Sequence, residues 1–121
     1  MPSTSQIGAL GESLAVETLV SQGYVVIERN WRCAYGEIDI VAVDTEVWVF
    51  VEVKTRISAK FGQAVEAITA QKKSRLINAS YAYLNEHNIA GVAWRLDVVA
   101  IQLTPSRQVK SIDIYRNAIE E

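Results

Sequence analysis

Strict alternation over residues 47–56 restricts the fold more than any other segment of this chain. Every second residue from Val47 is a valine or a threonine, and aromatic or charged side chains occupy the positions between them. Side chains two residues apart on a β-strand point to the same face. The segment therefore predicts a strand with one apolar face, and it places Glu52 and Lys54 side by side on the opposite face.

A second predicted strand, residues 36–43, carries an acidic residue toward the same place. A turn at residues 44–46 joins the two segments, and such a short turn is typical of an antiparallel hairpin. In that hairpin, Asp39 of the first strand lies close to Glu52 and Lys54 of the next. The sequence thus predicts two carboxylates and a lysine at one point of a sheet.

This group suits a divalent metal and an attacking water better than it suits a hydrophobic core. Mg²⁺ prefers hard oxygen ligands, so Asp39 and Glu52 are the predicted ligands, with the main-chain carbonyl of Val53 in reach. Lys54 is predicted to hold the attacking water and to balance charge on a phosphate. The alternative is an ion pair on the surface of the strand, which contributes little to stability.

A helix is predicted over residues 5–22, where apolar side chains recur at helical spacing and Gly23 provides a stop. Glu12 does not suit a solvated face of this helix, because its neighbours there are small or apolar: Gly8, Ala15, Val16 and Leu19. A carboxylate in such a stripe is costly unless it is paired or binds a metal. Glu12 is therefore a further candidate catalytic residue and metal ligand.

The remaining elements complete an α/β domain. Strands are predicted at residues 24–31, 92–103 and 109–115, a loop at 58–63 and a long helix at 64–86. The order is helix, three-strand meander, helix, strand, with an additional strand last. This order predicts a mixed sheet flanked by helices in a single domain spanning residues 1–121.

Composition excludes several classes of protein. No apolar run is long enough to span a membrane, and the first residues lack a signal peptide, so a cytoplasmic protein is expected. The single cysteine, Cys33, cannot form an internal disulfide or a thiolate zinc cage. The formal charge of −2 is weak evidence against a polyanionic partner. Basic residues nevertheless predominate between Lys54 and Arg75.

Several charged side chains around the predicted site have two interpretations. Glu37 shares a face with Asp39 and either supports the site or is merely exposed. Arg56 continues the row of Glu52 and Lys54 and either contacts phosphate or lies in solvent. Lys72, Lys73 and Arg75 of the predicted second helix either contact nucleic acid or form a solvated helix face, which is the favoured interpretation.

Arg95 and Asp97 share one face of the predicted fourth strand. They form either a buried salt bridge or a second layer of support for the catalytic group. The sequence favours the salt bridge.

The spacing Asp-(x12)-Glu-x-Lys within this order of elements resembles the PD-(D/E)xK nuclease superfamily, which includes restriction endonucleases and archaeal Holliday junction resolvases. More closely, the chain is similar to the small bacterial YraN-type family, which is uncharacterised and endonuclease-like. The resemblance covers nearly the whole chain and rests on these motifs: Gly11-Glu12, Asn30-Trp31-Arg32, Gly36-Glu37-Ile38-Asp39, Phe50-Val51-Glu52-Val53-Lys54-Thr55-Arg56, Phe61-Gly62, Lys72, Arg95-Leu96-Asp97 and Asn117-Ala118.

The resemblance implies a restriction-endonuclease-like αβββαβ core. It implies that Asp39, Glu52 and Lys54 occupy the catalytic positions, and that Glu12 matches the helix-borne glutamate of the resolvase-like branch. The superfamily's proline before the aspartate is absent, since Ile38 stands there. Some superfamily members use a polar residue of the second helix in the site, which makes Gln71 a weak candidate.

The leading functional hypothesis is an endonuclease that requires Mg²⁺ or Mn²⁺ and cuts structured DNA, as resolvases do. A junction needs two symmetric cuts, which favours a two-fold homodimer. The first alternative is a catalytically silent module that binds nucleic acid or protein. The second is a nuclease for RNA or single strands, because phosphate contacts read neither sugar nor base.

Overall fold

The computed structural model describes residues 4–57 and 68–120. These residues form two helices and five strands: α1 (Thr4–Ser21), β1 (Val25–Cys33), β2 (Gly36–Asp44), β3 (Val47–Ile57), α2 (Ala70–Glu86), β4 (Trp94–Leu103) and β5 (Val109–Ile119). The predicted α/β class and the αβββαβ order are confirmed, with β5 added at the end of the chain. Neither helix in the described part of the chain has the length and apolar character of a membrane span.

The five strands form one mixed sheet in the order β1-β2-β3-β4-β5. β3 and β4 are parallel, and the other neighbouring pairs are antiparallel. A parallel pair needs a crossover connection, and α2 lies in the connection between β3 and β4. The register of this pair runs from Trp48↔Trp94 to Ile57↔Leu103, so β3 is bound along its length to β4.

Each face of the sheet has its own hydrophobic core. Phe50 packs with Leu76 and Tyr83 of α2 in one cluster. Val49 and Val51 pack with Leu19 of α1 in the other. The alternation in β3 therefore gives the strand two different faces, with Val49 and Val51 toward α1 and Phe50 toward α2.

The first turn of α2 differs from the prediction of a helix beginning at residue 64. Thr69 has extended backbone angles (φ −74°, ψ 162°), and its hydroxyl accepts a hydrogen bond from the Lys72 amide at 3.1 Å. It is thus the N-cap of a helix that begins at Ala70. Helical spacing of apolar residues did not reveal this boundary. The predicted loop at 58–63, with Phe61-Gly62, and the predicted helical residues 64–67 lie outside the described residues.

Strand β5 is longer than predicted and ends at Ile119 rather than at residue 115. The register between β4 and β5 shifts between Leu96 and Val98. Asn117, in this stretch, has a positive φ of 52°. The irregularity interrupts the alternation on which the sequence prediction depended, so the prediction stopped short of it.

The sheet divides between β2 and β3, and this division positions the candidate site. Pairing of β2 with β3 ends at Ile40↔Val51. Beyond that point β2 remains paired with β1, and β3 remains paired with β4. The Val53 amide, instead of bonding to the main chain of β2, donates to the Asp39 carboxylate at 2.8 Å. Asp39 and Glu52 therefore lie at the point where the two strands separate.

Candidate active site

Three carboxylates converge at the separation of β2 and β3. Oxygen atoms of Glu12, Glu37 and Asp39 all lie within 4.8 Å of one another. Glu12 comes from α1, whereas the other two come from β2. The structure thus brings together two residues predicted as metal ligands and also Glu37, for which the sequence left a supporting role and plain exposure equally open.

Glu12 reaches this group because α1 packs closely on β3. Gly11 is buried in the contact, and a β-carbon built on it would overlap the Thr55 hydroxyl. A glycine here lets the helix approach the sheet, so the next residue, Glu12, projects beside the end of the β2–β3 pairing. Its side chain is only 17% exposed.

One carboxylate oxygen of Glu12 is buried without a hydrogen-bond donor. This oxygen is Oε1, and the nearest cation, the Arg29 guanidinium, is 3.7 Å away. That distance is an ion pair but is too long for a hydrogen bond. A buried carboxylate oxygen without a donor is costly unless a cation approaches it.

Burial, followed by the nearby charge of Glu52, raises the pKa of Asp39 to about 7. The Val53 amide opposes the rise, and the charges of Glu12 and Glu37 add to it. Asp39 therefore stands in an excess of negative charge. Such a position favours either a proton or a cation.

These residues fit a small divalent cation. Three hard oxygen donors at this spacing, one of them buried without a donor of its own, are the set that Mg²⁺ or Mn²⁺ takes. Glu12, Glu37 and Asp39 would hold the cation. Glu52 and Val53, whose main-chain carbonyl is the further predicted ligand, border the same cavity.

Glu52 is held by two lysines. Its Oε1 lies 2.8 Å from Lys72 Nζ and 3.6 Å from Lys54 Nζ, and the residue is only 5% exposed. The pair with Lys54 is therefore not a surface ion pair.

The two ammonium groups differ in their response to this carboxylate. Burial, followed by the adjacent Lys72, lowers the pKa of Lys54. Burial alone would also lower the pKa of Lys72, but its closer pairing with Glu52 raises that pKa instead. Lys72 is thus the firmer counter-ion of Glu52, and Lys54 is the ammonium that more readily gives up a proton.

Two cavities border this group. One, of about 400 Å³, is lined by Tyr35 and Glu37 from the β1–β2 side and by Gln71 and Arg75 from α2. The other, of about 350 Å³, is lined by Glu12, Lys54 and Thr55 among others. Asp39, Glu52 and Lys72 border both cavities. We refer to the two cavities together as the cleft.

Among the described residues weighed as nucleic-acid contacts, Lys72 and Arg75 line the cleft. Arg56 and Lys73 are exposed and line neither cavity. The favoured prediction of a solvated helix face therefore describes Lys73 but not Lys72. Lys72 borders the cleft because Leu76, Ala79 and Tyr83 pack α2 against the sheet, and this packing sets which side of the helix faces inward.

Arg95 and Asp97 make their contacts away from the cleft. The fully buried Asp97 accepts hydrogen bonds from Arg95 Nε at 2.9 Å, from the Tyr24 hydroxyl at 2.8 Å and from the Asn117 amide at 2.9 Å. Arg95 also donates to Asp44 at 2.7 Å. Asp44 lies at the other end of β2 from Asp39, so this network joins strands and holds the irregular part of β5.

Sequence reasoning did not assign Tyr35 to the site and treated Gln71 only as a weak candidate. It left Arg75 as either a nucleic-acid contact or part of a solvated helix face. All three line the larger cavity. The available signal was helical spacing, because Arg75 is three residues after Lys72 and shares its side of α2. That signal was usable only once Lys72 had been placed in the cleft.

Comparison with known proteins assigns the family. Residues 11–101 match the model of "Uncharacterised protein family UPF0102". A UPF0102 protein of Moorella thermoacetica is 40% identical over 111 residues, covering 92% of each chain. One of Roseiflexus castenholzii is 43% identical over 118 residues, covering 97% of this chain and 95% of the relative. One of Beutenbergia cavernae is 47% identical over 104 residues, covering 86% and 88%.

The chain belongs to the UPF0102 family. The expectation of a YraN-type bacterial family agrees with this result. The family description carries no activity, so the activity is argued from the site.

Proposed function

We propose that this protein is a divalent-metal-dependent endonuclease that hydrolyses phosphodiester bonds in structured DNA, as Holliday junction resolvases do. The observation that carries the proposal is the convergence of Glu12, Glu37 and Asp39 where β2 separates from β3, with Glu52 and Lys54 bordering the adjoining cavity. The resemblance to PD-(D/E)xK nucleases supports the substrate class. Mg²⁺ or Mn²⁺ is the proposed cofactor.

A bound cation would supply charge stabilisation at the scissile phosphate and would acidify a nearby water. The chain itself orients the acidic group: the Val53 amide holds one oxygen of Asp39, and packing of Gly11 on Thr55 holds Glu12 in place. Because the cleft is open, a phosphate and a water can approach Asp39 from either cavity.

Lys54 is proposed to position the attacking water. Its ammonium lies beside Glu52 at the border of the smaller cavity, and its pKa is lowered by burial and by Lys72. A lysine with a lowered pKa exchanges protons with water more readily than an exposed one. Lys54 can therefore orient the water and also balance charge on the phosphate.

The competing proposal is a binding module that keeps the fold without turnover. The buried, unsatisfied Glu12 oxygen and the raised pKa of Asp39 weigh against it, because both favour a bound cation, which a module without turnover does not need. We further propose a cytoplasmic homodimer, because two symmetric cuts at a junction need two sites related by a two-fold axis.

Cleavage assays separate these proposals. A labelled four-way junction, a flap, a single strand and a matched linear duplex are incubated with Mg²⁺ or Mn²⁺ and either the wild type or Asp39→Asn. Cutting by the wild type alone supports the nuclease, and the junction-to-duplex ratio reports the substrate class. Failure of the wild type to cut any substrate, together with undiminished DNA binding, would favour the binding module.

A further inference from the structure

We propose that Lys72 and Arg75 bind neighbouring phosphates of the nucleic-acid strand that occupies the cleft, with Lys72 on the phosphate that is cut. This inference rests on the proposed nuclease function and extends it to the surface that holds the substrate. It assigns substrate binding to the side of α2 that carries Lys72 and Arg75, and it excludes Lys73 from that role.

The charge of the cleft requires such a surface. Four carboxylates border it, from Glu12, Glu37, Asp39 and Glu52, and they repel an approaching phosphate. Among the described residues, the cations that border it are Lys54, Lys72 and Arg75. Since Lys54 is the proposed partner of the attacking water, the two cations on α2 remain for the substrate.

Lys72 lies on the border that the two cavities share. Its side chain borders both cavities and bonds to Glu52 at 2.8 Å, yet it remains 42% exposed. An ammonium has three N–H donors. One bonds to Glu52 and the ammonium also contacts Lys54, which leaves a donor for a phosphate oxygen that approaches from the cleft.

Arg75 extends this positive surface along the helix. Residues three apart on a helix are neighbours on its surface, with β-carbons about 5–6 Å apart. Arg75 and Lys72 both line the larger cavity, whereas Lys73 lines neither. A guanidinium binds phosphate through two parallel N–H groups, so Arg75 suits a phosphate that is bound but not cut.

The test compares Lys72→Ala, Arg75→Ala and the matched control Lys73→Ala, which removes an equal charge from the same helix. Binding of a fluorescein-labelled single strand is measured by anisotropy across a range of salt, with all variants in an Asp39→Asn background. The logarithm of the association constant falls linearly with the logarithm of the salt concentration, and each lost phosphate contact should reduce the magnitude of that slope by about 0.7. We expect this decrease for Lys72→Ala and Arg75→Ala but not for Lys73→Ala.

Single-turnover cleavage in the wild-type background gives the second readout. Lys72→Ala should slow the saturated rate on the order of 100-fold, as loss of one donor to a developing phosphate charge does. Arg75→Ala should raise the half-saturating concentration and leave the saturated rate within about twofold, because it removes ground-state binding.

Removal of Lys72 also leaves Glu52 buried without its nearest partner, so the fold needs its own control. Lys72→Arg keeps the positive charge and should retain the salt slope. Lys72→Cys in a Cys33→Ser background can be alkylated with 2-bromoethylamine, which restores an ammonium. Recovery of the salt slope after alkylation would show that the defect of Lys72→Ala comes from loss of the positive charge and not from disruption of the fold.

The outcomes for the two proposals are distinguishable. Absence of cleavage by the wild type contradicts the nuclease, while the salt slopes still test the surface on α2. Active wild-type cleavage with equal slopes for Lys72→Ala and Lys73→Ala overturns the assignment of Lys72. An unchanged slope for Arg75→Ala overturns the assignment of the second phosphate.

Discussion

Gly11 of α1 lies against the Thr55 side chain of β3 so closely that a β-carbon on Gly11 would overlap the Thr55 hydroxyl. This contact places the following residue, Glu12, beside Asp39. One missing side chain on a helix therefore determines whether the helix contributes a carboxylate to the cleft.

Gly11→Ala should lower both stability and metal affinity. The added methyl group must displace α1 from β3, and overpacking of this kind costs about 1–3 kcal/mol. Gly8→Ala is the matched control, because the space around Gly8 is open, and it should stabilise the helix by up to about 1 kcal/mol. Urea unfolding and Mn²⁺ titration measure the two effects. Equal behaviour of the two variants would refute the role of the contact.

The pKa of Asp39 predicts how stability without metal depends on pH. The folded value of about 7 lies above the ordinary value of 3.8, so the folded state binds the proton more tightly than the unfolded state. Its contribution is present below pH 4 and is lost as the pH rises toward and through 7. With about 1.4 kcal/mol per pKa unit, the loss is on the order of 4 kcal/mol.

Asp39→Asn removes this dependence. In EDTA, the difference in unfolding free energy between Asp39→Asn and the wild type should shift in favour of the variant as the pH rises from 4 to 8. Urea titrations at several pH values measure it, and the wild type serves as the reference for all other titrating groups. A constant difference across this range would show that the pKa of Asp39 is not raised in the folded protein.

Glu12→Gln should weaken Mg²⁺ and Mn²⁺ binding and slow cleavage with little loss of stability. The variant removes one charge from the three converging carboxylates while keeping the size of the side chain, and it relieves repulsion on Asp39. Calorimetric titration with Mn²⁺ reports the affinity. Unchanged cleavage together with increased stability would remove Glu12 from the site.

Lys54→Met should slow turnover far more than it weakens metal binding. Lys54 is proposed to act on the water and phosphate, and the converging carboxylates do not include it. Single-turnover cleavage and Mn²⁺ titration of the same preparation give the two quantities. A decrease in metal affinity equal to the decrease in rate would mean that Lys54 organises the carboxylates and does not serve the reaction.

Arg95→Met should destabilise the protein without changing the cleft. Asp97 is fully buried and Arg95 supplies its charged partner, so removal of the cation leaves a buried charge uncompensated. Such losses cost about 3–5 kcal/mol. The midpoint of urea unfolding should fall, while Mn²⁺ affinity measured well below that midpoint should match the wild type. Loss of metal affinity in folded protein would instead assign this pair to the support of the site.

The sequence alone determined the elements and the principal acidic residues of the site. Alternation over residues 47–56 predicted β3 and the pairing of Glu52 with Lys54, because strand periodicity is local. The short turn at 44–46 implied that Asp39 lies near Glu52. The misplaced carboxylate in the apolar stripe of α1 identified Glu12. These inferences depend only on residues that are close together in the sequence, so they did not require the tertiary structure.

Tertiary structure decided the rest. The sequence could not separate Lys72 from Lys73, because the side of α2 that faces the cleft depends on packing against the sheet. Convergence of Glu37 with Glu12 depends on where β2 leaves β3, and Asp97 meets Asn117 only through an irregular strand far along the chain. Local patterns determine which residues carry charge and which element they lie on, whereas contacts between distant segments determine which charges meet.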